Sequence, residues 1–142
     1  MQARIKRIRG DVELPAYQTS GSVCFDLATA EEAVIQPGEI QRITTGLVVE
    51  TPPGYMLMVA SRSSAPRAHG VMIPQGIGIV DQDYSGDADE LLLQVLNFTD
   101  AAVTIPAGTR IAQAGFVRID QAELVETSET MAASRGGFGS TG

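Results

Sequence analysis

Apolar residues fall in short runs, and turn residues separate them. "YMLMVAS" (55–61), "LLLQVLNF" (91–98) and "AVTIPAG" (102–108) are apolar or alternating. Pro or Gly marks most of the breaks: Pro37-Gly38, Pro52-Pro53-Gly54, Pro74, Gly86 and Pro106-Ala107-Gly108. "GIGIV" (76–80), "TRIAQAGFV" (109–117) and "VCFDLAT" (23–29) add strand-like segments, the last two with Gln113 and Asp26 set between apolar neighbours. Strands recurring at roughly 8–12-residue spacing predict an all-β sandwich, barrel or jelly roll. The best helix candidate is "SSAPRAH" (63–69), where Ser can cap and Pro can occupy the first turn. From Thr127 onward, "TSETMAASRGGFGSTG" loses apolar periodicity, predicting a β domain over 1–126 and an arm outside the core over 127–142.

The 142 residues are 44% hydrophobic and 19% charged, which favours one globular domain with a real core. No apolar run approaches the roughly 18 residues of a membrane span. The basic start "MQARIKRIRG" has no apolar stretch after it, so the expected location is the cytoplasm. A net charge of −7 repels nucleic acid at long range and argues against nucleic-acid partners. A small anionic ligand remains admissible if positive charge is concentrated locally. The single cysteine, Cys24, and the single histidine, His69, exclude a disulfide framework and a Cys- or His-rich metal cage.

The densest polar cluster is "GIGIVDQDYSGDADE" (76–90). If the strand over Ile77 to Val80 persists, Asp81 and Asp83 share a face. A solvated hairpin turn explains the carboxylates most simply. D-x-D-x-S-G also matches the opening of an EF-hand loop, but the twelfth position is Leu92 where a bidentate Glu is needed. An Asp just after a buried run, Asp81, is also placed as a general base requires. In "ASRSSAPRAHG" (60–70), Arg62, Ser63 and Ser64 open the short helix and form either an ordinary cap or a phosphate cradle. A Ser63/His69/Asp81 triad lacks the G-x-S-x-G elbow. Asp26, alone among apolar neighbours, needs an Arg, a backbone amide or a hydrated Mg²⁺. In the arm, Arg135 suits an anion and Phe138 a flat base, with glycines letting the backbone wrap closely.

Together, "GSVCFDLATA", "SRSSAPRAHG", "GIVDQDYSG", "GTRIAQ" and "RGGFGSTG" resemble, in order and spacing, the five motifs of the trimeric dUTPases. The resemblance implies a distorted jelly-roll subunit, a homotrimer with shared active sites, and a flexible C-terminal arm closing over a neighbour's site. It implies hydrolysis of dUTP to dUMP and pyrophosphate, assisted by Mg²⁺, keeping dUTP low and supplying dUMP for thymidylate synthesis. By the same resemblance Asp81 activates the attacking water, and Tyr84 packs under the deoxyribose. The backbone of Gly78, Ile79 and Val80 reads uracil in a pocket braced by Gln75. Arg62, Ser63 and Ser64 hold phosphates, with Gln113 nearby, and Asp89 makes a largely main-chain contact. Asp26 meets the hydration shell of the Mg²⁺, Arg135 the terminal phosphate and Phe138 the uracil ring. The chain departs from the family pattern at Val23-Cys24, Gln75, Ser85 and Asp89, and places its arm arginine two residues closer to Phe138 than usual.

Overall fold

The computed structural model describes residues 1–134 and 136. Arg135 and Phe138, expected to meet phosphate and base, lie outside the described residues. The strands are β1 (Arg4–Arg7), β2 (Phe25–Ala28), β3 (Ala33–Ile35), β4 (Ile40–Thr44), β5 (Leu47–Glu50), β6 (Tyr55–Ser61), β7 (Val71–Met72), β8 (Ile77–Val80), β9 (Leu92–Asn97), β10 (Val103–Ile105) and β11 (Arg110–Arg118). One short helix, α1 (Ala65–His69), interrupts them. Antiparallel pairing joins β2-β11-β6-β8 into one sheet and β4-β9-β7 into another, with β1-β5 and β10-β3 as two-stranded ladders.

Alternation explains which face each strand buries. Phe25 and Leu27 of β2 point inward, and Asp26 and Ala28 point outward. Leu93, Val95 and Asn97 of β9 are buried, while Leu92, Gln94 and Leu96 face the other way. Leu27, Ile35, Ile43, Leu57, Leu93 and Ile105 meet in the core between the sheets. The result is an all-β, jelly-roll-like sandwich, as the spacing of turns predicts. Among the described residues, no helix is long and apolar enough to cross a membrane.

Two local expectations need correction. Ser64 occupies the position before α1, but its backbone is already helical (φ −81°, ψ −22°) and its side chain makes no capping bond. A capping hydroxyl needs an extended residue there. The strand before the acidic turn also ends at Val80, so Asp81 and Asp83 do not share a strand face.

The fully buried Asn97 ties three segments together. Its amide donates to the Ile35 and Ala101 carbonyls at 2.9 and 2.8 Å. Its Oδ1 accepts from Thr99 N and Oγ1 at 2.9 and 2.8 Å. Asn97→Ala takes a donor from the Ile35 carbonyl and the acceptor from the Thr99 N–H, and leaves a cavity. The expected cost is about 2–3 kcal/mol, read as a lower urea midpoint at unchanged slope.

Candidate active site

A cleft of about 370 Å³ opens beside β8, between that strand and the start of β9. Gln75, Gly78, Ile79, Val80, Asp81 and Tyr84 line one side, and Arg42 and Glu90 to Gln94 the other. The turn Gln75-Gly76, with Gly76 at φ +77°, feeds the chain into β8. β8 pairs with β6 from Ile77–Ala60 to Val80–Leu57 and has no partner on its outer edge among the described strands. Unpaired backbone donors and acceptors are therefore presented along the cleft wall. Gly78 packs against its neighbours at ordinary contact distance: a Cβ there would sit 3.7 Å from Gln75 Nε2 and 3.5 Å from Val59 Cβ.

Asp81 follows β8 directly, at the mouth of the cleft. Its carboxylate has no hydrogen bond or ion pair among the described residues. The backbone then turns, with Tyr84 N–H meeting the Asp81 carbonyl at 3.4 Å. The Tyr84 hydroxyl donates to the Glu90 carbonyl at 3.0 Å. Asp89 turns back into its own loop, accepting the Gly86 N–H at 2.7 Å, and does not line the cleft. Lys6 reaches this loop from β1 and donates to Asp87 Oδ1 at 2.8 Å. That hydrogen bond holds the Asp87 carboxyl below the usual carboxylate range.

The remaining candidates gather elsewhere. Asp26 faces Gln113 directly across the β2–β11 ladder. Its carboxylate, only 12% exposed, is bracketed by Arg62 Nε at 2.9 Å and Arg110 Nη1 at 3.2 Å. Two guanidinium groups around one carboxylate meet its burial cost and leave a net positive charge. Arg62 also donates to the Arg110 carbonyl at 3.0 Å. Gln113 donates to the Ser61 carbonyl at 3.1 Å, which fastens its amide beside Arg62. Ser63 and Ser64 are exposed just beyond.

The structure thus assembles the candidates in two groups, not one. Because Val80 pairs with Leu57, Asp81 aligns with the start of β6, whereas Arg62 follows its end. Six residues of strand at roughly 3.3 Å each put the groups about 20 Å apart along β6. Sequence reasoning missed Arg42, Glu90 and Arg110. Arg110 was concealed by a bulge between Arg110 and Ala112, which brings Arg110 to the face that Gln113 occupies. Arg42 lies in "IQRIT", where Ile40 and Arg42 are exposed and Ile43 is buried, so no clean apolar–polar alternation singled it out.

A dUTPase family model matches residues 10–142. A deoxyuridine 5'-triphosphate nucleotidohydrolase of Nautilia profundicola is 38% identical over 144 residues, covering 100% of this chain and 99% of that one. A crystal structure of the Streptococcus mutans dUTPase superposes with TM-score 0.76 at 28% identity, over 84% of this chain and 98% of that one. The dUTPase of Staphylococcus bacteriophage 80alpha, solved with dUPNHPP, shares the fold with TM-score 0.88 at 24% identity, over 99% and 98% of the two chains. With a family model spanning almost the whole chain and a full-length relative at this identity, the chain belongs to the dUTPase family.

Proposed function

We propose that the protein hydrolyses dUTP to dUMP and pyrophosphate. The observation that carries this reading is the cleft in which an unpaired carboxylate, an aromatic ring and the backbone of an edge strand meet. The backbone of Gly78 to Val80 pairs with the uracil edge, in a space bounded by Gln75. Tyr84 lies under the deoxyribose. Asp81 takes a proton from water as the water oxygen bonds to the α-phosphorus. The bond from that phosphorus to the bridging oxygen breaks, and pyrophosphate leaves with the electron pair. A fixed carboxylate acting as base is the protein's contribution to the chemical step.

Arg62, Ser63 and Ser64, with Gln113 beside them, take the phosphates as multiple charge-assisted contacts. Their distance from Asp81 along β6 supports a site shared between subunits of a homotrimer, in which one chain supplies the cleft and another the arginine cluster. Residues 127–142 then act as an arm, with Arg135 on a phosphate and Phe138 over uracil. The dUMP formed supplies thymidylate synthesis.

Among the described residues, no group of three or more His, Cys, Asp or Glu is placed to hold a metal ion. Asp26 is already paired twice. A carboxylate has about four lone-pair positions, so it can still accept from metal-bound water. This donor set fits an Mg²⁺ ion carried mainly by the triphosphate, which when bound neutralises phosphate charge and orients the chain of phosphates.

Pyrophosphate release from dUTP with Mg²⁺, set against dCTP, dTTP and UTP, tests the reading. Selective release from dUTP is expected; ammonia from dCTP would point to deamination instead. Asp81→Asn should lower kcat by about 10²–10⁴-fold, and an unchanged rate would remove Asp81 as the base. Truncation after Ala132 should leave a folded trimer with little turnover, so loss of the trimer would contradict the role of the arm. Phe138→Ala should weaken nucleotide closure by about 1–3 kcal/mol, measured from kcat/KM.

A further inference from the structure

The loop from Asp81 to Glu90 is closed by the hydrogen bond from the Tyr84 hydroxyl to the Glu90 carbonyl. That carbonyl is itself held in place. Glu90 Oε1 accepts the Gly46 N–H at 2.6 Å. Next along the chain, Leu91 N–H donates to the Leu47 carbonyl at 2.8 Å, and the Leu91 carbonyl accepts from Thr45 Oγ1 at 2.6 Å. Three consecutive residues, Thr45 to Leu47, therefore grip two consecutive residues, Glu90 and Leu91. Gly46 is buried and fixed at φ +68°, and a Cβ there would fall 2.8 Å from Val12 Cγ1. Its N–H must find an acceptor, and the Glu90 carboxylate is that acceptor. The Tyr84 side, by contrast, is 43% exposed. Packing alone does not orient such a ring, and the tether at its hydroxyl does.

We propose that Glu90 is a positioning residue for sugar selectivity. Through Gly46 it fixes the carbonyl that holds the Tyr84 hydroxyl, and with it the height and tilt of the ring in the cleft. A ring tethered at its far end does not retreat from a ligand's 2′-hydroxyl; an untethered ring swings aside and admits it. The proposal rests on the reading of the cleft as a dUTP site, with Tyr84 beneath the sugar.

The test compares kcat/KM for dUTP and UTP in full-length wild type, Tyr84→Phe, Glu90→Ala, Glu90→Gln and the Tyr84→Phe/Glu90→Ala double variant. Absence of dUTP hydrolysis by wild type would overturn the functional reading and this proposal together. With wild type active, Tyr84→Phe and Glu90→Ala should each lower the dUTP-to-UTP ratio by about tenfold. Glu90→Gln keeps an oxygen for the Gly46 N–H and should stay within about threefold of wild type. The double variant should fall no further than either single one, because both break the same tether. An unchanged ratio in Tyr84→Phe would overturn the proposal alone. So would Glu90→Ala slowing both substrates equally, the signature of a merely structural role. Tyr84→Phe removes only a hydroxyl, so an unchanged ratio there overturns the proposal even where Glu90→Ala does not fold.

Discussion

The antiparallel ladder that locks β6 between β11 and β8 sets the terms for everything the site does. One flank, β11, carries Gln113 opposite Asp26 and runs beside the residues leading to Arg62. The other flank, β8, ends at Val80, and Asp81 follows it directly. A ladder in regular register cannot be shortened, so Asp81 and the arginine cluster stay at opposite ends of one rigid element. The same ladder leaves β8 as an edge. An edge strand is normally a liability because its open N–H and C=O groups invite pairing with another chain. Here the exposed backbone lines the cleft that Asp81 and Tyr84 also border.

Charge follows a similar economy. The chain carries −7 overall, yet Arg62 and Arg110 converge within hydrogen-bonding distance of one carboxylate. Asp26 keeps two like charges together and holds Arg62 Nε in one direction. The remaining N–H groups of both arginines are left for other acceptors. A local cation pair of this kind needs no basic surface around it. Anion binding and an acidic isoelectric point are compatible for that reason.

Two apolar strands that begin just after a Pro or Gly turn were legible from the chain itself. β6 and β8 coincide with "YMLMVAS" and with Ile77 to Val80. β9 and β10 are shorter than their apolar runs because Leu91, Phe98 and the Pro106 turn lie outside the ladder. β3 and β7, at three and two residues, are too short for any period to show. β4 and β5 were hidden differently: "IQRIT" mixes polar residues on both faces, and "LVVE" is buried throughout its first three positions. Motif order pointed to Asp81, Tyr84 and Arg62. It could not reveal Glu90, whose role depends on Gly46, forty-four residues away. Nor could it reveal Arg110, which a single-residue bulge turns toward Asp26.

Asn97 has a consequence for how this chain can change over time. Of its side-chain bonds, three reach main-chain atoms, at Ile35, Ala101 and Thr99, and one reaches the Thr99 hydroxyl. Main-chain groups are the same whatever side chain they carry, so Ile35 and Ala101 are free to drift without disturbing the knot. The converse is severe. No substitution at those two neighbours restores what a replaced Asn97 takes away, since none of them can add a side-chain amide at its place. Positions of this kind drift least because they have no partner able to drift with them.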